Sequence, residues 1–166
     1  MGKAAGYDME TLGIILPLWT EAVAIYGPLG WRREKGSGFR EAYPAPNLRV
    51  LAVCSGPGLR NAALAGERLC RMGAGGLLIL GVCGAIHPAL KAGDLILAER
   101  VLMIRRGRPW SVWEAAGSFG EYLQRRLFSG GMRVYKGTVL SMERGVGTPE
   151  EKRALYQETG ALCVDM

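Results

Sequence analysis

Two glycine-rich turns are the parts of this 166-residue sequence whose residue types best suit ligand chemistry. Each follows a short apolar run: Ser55-Gly56-Pro57-Gly58 opens a helical pattern, and Gly81-Val82-Cys83-Gly84 closes the next apolar run. In an open parallel sheet, ligands bind at such turns, beyond the carboxyl ends of the strands. The free N–H groups at a helix start favour an anion or a polar ligand atom. The turns therefore predict a small-molecule site, although glycines at strand–helix turns are equally often only structural.

Glu21 is the acidic residue best placed to join these turns. It lies just past the first apolar run, residues 12–16, and so at the same predicted edge of the sheet. A carboxylate there could act as a general base toward water, but a solvated helix residue explains it equally well. The turns match neither a P-loop, since no Gly-Lys-Ser/Thr follows, nor a GxGxxG fingerprint, since the third glycine is missing.

Predicted strands and predicted helices alternate along the chain. We expect strands at residues 12–16, 48–54, 77–80, 94–97, 132–142 and 161–164. We expect helices at residues 18–25, from 59 to 73, 119–128 and 148–159. Residues 27–47 are predicted as a loop or irregular hairpin and residues 105–117 as a loop. Apolar strands that alternate with amphipathic helices predict an α/β fold with a mostly parallel sheet covered on both faces.

Composition excludes several classes of protein. Hydrophobic residues make up 49% of the chain and charged residues 22%, which is typical of a globular domain and not of a disordered or fibrous chain. Residues 12–19 are too short an apolar run to span a membrane and lack a basic lead-in, so we expect a cytoplasmic protein with no membrane span. The net charge of +6 (21 − 15) permits an anionic ligand, a nucleic acid or an acidic surface and selects none of them.

Cysteine and histidine give no metal-site pattern. The chain has no CxxC pair, and His87, before Pro88, is its one histidine, so we expect no zinc site and a structural role for His87. Arginine pairs near Trp110 and Trp113 do not sit in a recognised nucleic-acid module, so nucleic-acid binding ranks low. Small buried thiols in a reducing compartment are predicted at all four cysteines, Cys54, Cys70, Cys83 and Cys163.

Five features between residue 12 and the end of the chain follow one another in a specific order. They are Glu21, the 55–58 turn, Gly81–Ile86 before Pro88, Lys91-Ala92-Gly93-Asp94, and Thr159-Gly160-Ala161 leading to Val164-Asp165-Met166. Together they resemble the nucleoside phosphorylase and nucleosidase family, which includes purine nucleoside phosphorylase and methylthioadenosine/S-adenosylhomocysteine nucleosidase. Residues 148–166 are most similar to the hopanoid-associated phosphorylases of bacteria. The resemblance implies a three-layer α/β/α sandwich with a mostly parallel central sheet, here a single domain over residues 1–166 that is truncated at the C-terminus.

The resemblance also implies an activity, which is cleavage of the N-glycosidic bond of a purine, adenosine-type nucleoside, in nucleoside metabolism or hopanoid biosynthesis. It places Glu21 at the carboxylate that activates water in the nucleosidases. Ile79 and Val82 stand where hexameric phosphorylases carry an arginine and a serine that hold phosphate, which favours hydrolysis, although Arg60 could replace them and phosphate stays open as a co-substrate. The positions implied for substrate binding are Gly56, Pro57, Gly58, Arg60, Gly81, Val82, Cys83, Gly84 and Met166.

Further expectations concern assembly and completeness. The resemblance implies a homo-oligomer that binds a small nucleoside without a metal or organic cofactor. The family's ribose-binding glutamate would directly follow Met166, and its acidic aspartate would lie further on, so we expect the 166 residues alone to show no turnover. A non-catalytic nucleoside-binding or interaction protein derived from the same family is the alternative.

Overall fold

The structure, a computed structural model, describes residues 10–27, 30–33, 38–105, 108–114, 121, 124–127 and 129–166. Its contacts divide the chain into two compact units, residues 1–82 and residues 83–166. Each unit contains one of the two sheets. The prediction of a single domain over residues 1–166 stays a prediction.

The first unit is built around a five-stranded sheet in the order β2-β3-β4-β1-β5. Strands β4, β1 and β5 run parallel, whereas β2, β3 and β4 pair antiparallel. The elements of this unit are β1 (Glu10–Leu16), α1 (Trp19–Tyr26), β2 (Arg32–Arg33), β3 (Phe39–Ala45), β4 (Leu48–Cys54), α2 (Leu59–Arg71) and β5 (Gly76–Ile79).

Helix α2 covers one face of this sheet because its apolar residues recur at helical spacing. Ala65 and Leu69 are buried there against Ile15 of β1, Leu51 of β4 and Phe39 of β3. The helix also approaches β1 closely at Gly13, where an added Cβ would lie 2.7 Å from Leu77 Cδ2 and 3.2 Å from Leu69 Cβ. A glycine is therefore required in the middle of this strand, and it lets the helix that follows the 55–58 turn settle onto the sheet.

The second unit also contains a five-stranded sheet, in the order β6-β10-β9-β7-β8. Strands β7, β9 and β10 run parallel, and β6 and β8 pair antiparallel at the two edges. Leu140 and Cys163 are fully buried within this unit. Its elements are β6 (Gly84–Ala85), β7 (Leu95–Arg105), β8 (Arg108–Glu114), β9 (Val134–Met142), α3 (Pro149–Thr159) and β10 (Cys163–Asp165).

Helix α3 begins and ends at the residues that its sequence predicts. The Thr148 side chain accepts the Glu151 N–H at 3.3 Å, Pro149 occupies the first helical position, and Gly160 ends the helix in the left-handed region with a φ of 63°. The Glu151 carboxylate forms an ion pair with Arg144, which precedes the helix. Three residues separate the end of α3 from β10, and Met166 follows β10.

The α/β fold class predicted from the alternating pattern is confirmed, with each sheet mixed and its parallel strands adjacent. The loop predicted at 105–117 is wrong, because Arg108–Glu114 pairs with β7 as an antiparallel edge strand. The burial predicted for residues 77–80 is also wrong: β5 is an edge strand, and Leu77 and Ile79 are 45% and 57% exposed. The hairpin alternative for residues 27–47 is borne out by the pairing of β2 with β3.

The helix predicted at residues 119–128 lies partly outside the described residues, since 115–120, 122–123 and 128 are not among them. Residues 121, 124–127 and 129 are helical, in agreement with the prediction. Across the part of the chain that the structure describes, no helix has the length and apolar character needed to cross a membrane.

Candidate active site

Glu21 lies in the first turn of α1, and both of its carboxylate oxygens accept backbone hydrogen bonds. Oε2 accepts the Leu18 N–H at 2.9 Å, at the start of the same helix. Oε1 accepts the Val82 N–H at 2.8 Å, from the turn that follows β5. The carboxylate is thus held in a defined position by two amide dipoles at a helix N-terminus, where a negative charge is favoured. Glu21 is thus a helix residue whose carboxylate is fixed by backbone contacts.

Gly81 forms the wall of the space that this carboxylate occupies. An added Cβ at Gly81 would lie 3.2 Å from Oε1 and 3.4 Å from Oε2 of Glu21, and 3.4 Å from Pro17 Cδ. A side chain there would push on the carboxylate that Val82 holds. The glycine at this turn accordingly permits a close approach between the backbone after β5 and the Glu21 carboxylate.

The 55–58 turn uses glycine for a different reason, the backbone conformation. Gly56 and Gly58 have φ angles of 81° and 99°, in the region where L side chains are strained. The Asn61 side chain stabilises the turn by donating to the Pro57 carbonyl at 2.8 Å. The Ser55 hydroxyl donates to the carbonyl of Gly56, also at 2.8 Å, so the turn is rigid before helix α2 begins.

Parallel pairing brings the carboxyl ends of β4, β1 and β5 to the same edge of the first sheet, the edge at which the strands end. In the register, Leu16 of the central strand stands beside Cys54, and Ile15 stands beside Ile79. The chain leaves this edge through the 55–58 turn, the 17–21 segment and the 80–82 segment. The first two of these are joined by the Ser55 N–H, which donates to the Leu16 carbonyl at 3.0 Å. The structure therefore places Glu21, Gly81 and Val82 in direct contact and the 55–58 turn at the same edge.

Polar anion-binding side chains are sparse at this edge. Val82 is 74% exposed and Ile79 is 57% exposed, and neither side chain can donate a hydrogen bond to phosphate. Arg60 lies exposed in the first turn of α2. Among the sequence-predicted positions of the first unit, Arg60 is the one that carries a permanent positive charge.

The other sequence-predicted positions lie in the second unit. Gly84 pairs with Val164 across β6 and β10, and an added Cβ would lie 3.5 Å from Val164 Cγ1. Met166 follows β10, is half exposed, and its Sδ would lie 3.8 Å from a Cβ added at Gly145. Cys83 is exposed and directly precedes β6.

A polar pair beside these positions was missed by the sequence analysis. Asp165 stands opposite Ser141 in the parallel register of β10 and β9, which places the two side chains on the same face of the sheet. Burial raises the pKa of Asp165, and the Ser141 hydroxyl partly offsets the rise by hydrogen bonding to the charged form. No local pattern indicates this pair, because its members are 24 residues apart in the sequence and meet only through strand pairing. The one available signal is the placement of an aspartate at the end of an apolar strand.

The cysteines differ from one another more than the sequence predicts. Cys163 is buried and Cys54 is half-buried, but Cys70 and Cys83 are exposed, so the prediction of four buried thiols is wrong for these two. Cys70 lies on the outer side of α2, and Cys83 lies in the stretch between two strands. Within the described ranges, no group of three or more His, Cys, Asp or Glu side chains could hold a metal ion.

Both the sequence and the fold of this chain are similar to those of known proteins. A sequence model described as "Phosphorylase superfamily" matches residues 12–166, which is nearly the whole chain. A search of curated proteins found no match. Over 95–96% of the chain, the structure is similar to several solved nucleosidases and a related hydrolase.

Three of these structures illustrate the likeness. The Helicobacter pylori 5′-methylthioadenosine/S-adenosylhomocysteine nucleosidase is 19% identical, with a TM-score of 0.80, and the match covers 96% of this chain and 75% of that one. The Neisseria meningitidis nucleosidase of the same name, in complex with methylthio-immucillin-A, is 20% identical with a TM-score of 0.83, over 95% and 75% of the two chains. The H. pylori futalosine hydrolase is 18% identical with a TM-score of 0.78, over 95% and 79%. At these identities the likeness shows the fold, and the family match identifies the chain as a member of the phosphorylase superfamily, which is a family of enzymes.

Proposed function

We propose that the protein hydrolyses the N-glycosidic bond of a purine, adenosine-type nucleoside, with Glu21 as the general base toward water. The observation that carries the proposal is the Glu21 carboxylate, which two backbone amides hold beside Gly81. Membership of the phosphorylase superfamily supports it, and so do the names of the relatives, which are nucleosidases and a hydrolase.

The two amide bonds leave Glu21 able to act as a base. An ionised carboxylate offers about four lone-pair sites, and the amides of Leu18 and Val82 occupy one site on each oxygen. Each oxygen can therefore still accept a hydrogen bond from water. Because the amides orient the carboxylate before substrate binds, little reorganisation is needed when the water gives up its proton.

The proposed reaction exchanges one bond at the anomeric carbon for another. The bond from this carbon to the base nitrogen breaks, and its electron pair leaves with the base, so the ribose becomes oxocarbenium-like. The water oxygen then bonds to the same carbon while one water proton passes to Glu21. The departing base takes a proton from solvent and Glu21 returns its proton to solvent, so the products are the free purine and the free sugar. Positioning and electrostatics supply most of the rate in such a step.

The choice of water over phosphate depends on which side chains are available at the sheet edge. Phosphate is held in proteins by charged or hydroxyl donors and by helix N-termini. Ile79 and Val82 cannot supply such donors, so among the positions that the resemblance implies, Arg60 and the start of α2 are the possible contacts for phosphate. A carboxylate in the position of Glu21 repels phosphate and accepts a proton from water, so hydrolysis fits the site better.

Product analysis on the protein as its gene encodes it tests the proposal. The protein is incubated with adenosine or 5′-methylthioadenosine, with and without phosphate, and with uridine as the control substrate. We expect adenine and free sugar at the same rate in both buffers, with little release of uracil. Formation of sugar 1-phosphate that depends on phosphate would replace hydrolysis by phosphorolysis. Tight nucleoside binding without cleavage would support the non-catalytic alternative.

Several finer predictions accompany this proposal. We propose a homo-oligomer that requires no metal or organic cofactor. Roles for Gly84 and Met166 in substrate binding also stay predictions, as do the place in hopanoid biosynthesis and the cytoplasmic location.

A further inference from the structure

Cys83 and Cys163 are neighbours in the second unit although 80 residues separate them in the sequence. The antiparallel register of β6 and β10 pairs Cys163 with Ala85 and Val164 with Gly84. Because alternate residues of a strand face the same side, Cys83 belongs on the face that carries Ala85 and Cys163. Cys83 lies two residues before Ala85, the residue that pairs with Cys163, so the two cysteines are diagonal neighbours across β6 and β10. The influence of each thiol on the pKa of the other agrees with this placement.

The two thiols differ in exposure and in pKa, and both differences favour oxidation of Cys83 first. Cys83 is exposed, whereas Cys163 is fully buried. The hydrogen bond from Cys163 lowers the pKa of Cys83, outweighing burial and the nearby Asp165 carboxylate, both of which raise it. The same hydrogen bond and burial raise the pKa of Cys163 far above its ordinary value. An exposed thiol with enhanced thiolate character beside a second thiol is the arrangement found in redox-sensitive cysteine pairs.

We propose that Cys83 and Cys163 form a reversible disulfide when the protein meets a peroxide. The Cys83 thiolate attacks one peroxide oxygen, the O–O bond breaks, and Cys83 becomes a sulfenic acid while hydroxide leaves. The Cys163 sulfur then attacks the Cys83 sulfur, the S–O bond breaks, and water leaves with the Cys163 proton. In total, two thiols lose two electrons and two protons, and hydrogen peroxide is reduced to two waters.

Closing the disulfide requires Cys83 to move. A disulfide brings the two Cα atoms to within about 6.8 Å, whereas diagonal neighbours on antiparallel strands are spaced by about 7–8 Å. Cys163 is fixed, since it pairs with Ala85 on one side and with Val139 on the other. Cys83 precedes the first ladder pair of β6, so it can shift by about an ångström without breaking strand pairing.

Each cysteine lies in a different tryptic peptide, which makes the bond directly measurable. The peptides are residues 50–60 for Cys54, 69–71 for Cys70, 72–91 for Cys83, and the one that begins at 154 for Cys163. The native protein is reduced, desalted, treated with hydrogen peroxide, alkylated and digested. We expect a crosslink between the peptide 72–91 and the peptide that begins at 154, and we expect dithiothreitol to release it.

Matched variants separate this bond from general thiol oxidation. Cys83→Ser removes an exposed sulfur and should abolish the crosslink with the fold intact, and Cys163→Ala provides the same test from the buried side. Cys70→Ser removes the other exposed thiol and should leave the crosslink at the wild-type yield. The proposal is overturned if Cys83 goes on to sulfinic or sulfonic acid without crosslinking, if it crosslinks to another cysteine, or if Cys70→Ser loses the bond. These readouts do not depend on nucleoside cleavage, so the inference stands or falls independently of the proposed function.

Discussion

Replacing Glu21 with glutamine tests the geometry of the site severely. The side chain keeps nearly the same shape, but one of its two hydrogen-bond-accepting oxygens becomes an NH₂ donor. Both carboxylate oxygens accept backbone N–H groups, from Leu18 at 2.9 Å and from Val82 at 2.8 Å. An amide has one oxygen and one NH₂ group. Whichever way it turns, one of the two backbone donors then faces another donor and loses its partner.

The expected cost of Glu21→Gln follows from this loss. Hydrogen bonds to a charged group contribute about 1.5–3 kcal/mol, and partial solvation at this site favours the lower end, so we expect a loss of about 1–2 kcal/mol in the free energy of unfolding. For a chain of this length, each kcal/mol corresponds to roughly 2–4 °C in the melting temperature. If Glu21 is also the general base, kcat should fall by a factor of about 10²–10⁴.

A matched control separates the loss of a charge from the loss of these contacts. Glu67 pairs with Arg71 at 3.2 Å on the exposed side of α2, where an ion pair contributes only about 0–1 kcal/mol. Glu67→Gln should therefore leave both stability and kcat close to wild type. Urea unfolding gives the stability of each variant, and the rate of adenine release gives kcat at saturating nucleoside. A stable Glu21→Gln variant would refute the amide contacts, and an unstable variant with full kcat would leave Glu21 a purely structural role.

Three further changes test other parts of the structure. Gly81→Ala places a Cβ 3.2 Å from Glu21 Oε1, so we expect kcat to fall by roughly tenfold while the circular dichroism spectrum stays native; unchanged kcat would contradict the close approach. Gly13→Ala crowds Leu69 at 3.2 Å in the core, so urea unfolding should show a loss of about 1–3 kcal/mol, and a variant as stable as wild type would contradict this packing. Burial raises the pKa of Asp165, so the folded state binds its proton more tightly than the unfolded state and loses stability as the pH rises through the folded-state pKa. The stability of wild type relative to Asp165→Asn, measured by urea unfolding from about pH 4 to pH 7, should therefore fall with pH, and a constant difference would contradict the assignment.

Local sequence patterns predict the elements whose signals are contained within a few residues. Strands β1 and β4 contain continuous apolar runs, at residues 12–16 and 50–54, which is typical of strands buried on both faces. Helix α3 is specified by Thr148, Pro149 and Gly160, each of which acts through the backbone next to it. The resemblance to a family adds the order of these elements, and the family match agrees with it.

Pairing between distant segments accounts for the elements that were not predicted. Strand β8 begins with Arg108 and Pro109 and has only a weak strand pattern, and it forms because β7 provides an antiparallel partner. Strand β5 is apolar enough to appear buried, but it lies at the edge of its sheet, and its exposure depends on its neighbours. Burial is a property of the assembled sheet, so a run of four apolar residues does not determine it.

The candidate site shows the same division between local and long-range information. The glycines of the 55–58 turn are visible in the sequence because they act on their own backbone. The contact that fixes the Glu21 carboxylate is not visible in the sequence, because the Val82 amide lies 61 residues further along the chain. The contact between Cys83 and Cys163 is also invisible, since it exists only through the register of β6 and β10.

A crystal structure with an adenosine analogue that cannot be cleaved would show whether Glu21 is placed to activate water at a nucleoside. The crystals would contain the protein as its gene encodes it. We expect the ribose to lie at the carboxyl ends of β4, β1 and β5. An ordered water should hydrogen-bond to the Glu21 carboxylate and face the anomeric carbon. A nucleoside bound at a position from which no water can bridge its anomeric carbon to Glu21 would contradict the proposed role of Glu21 as general base.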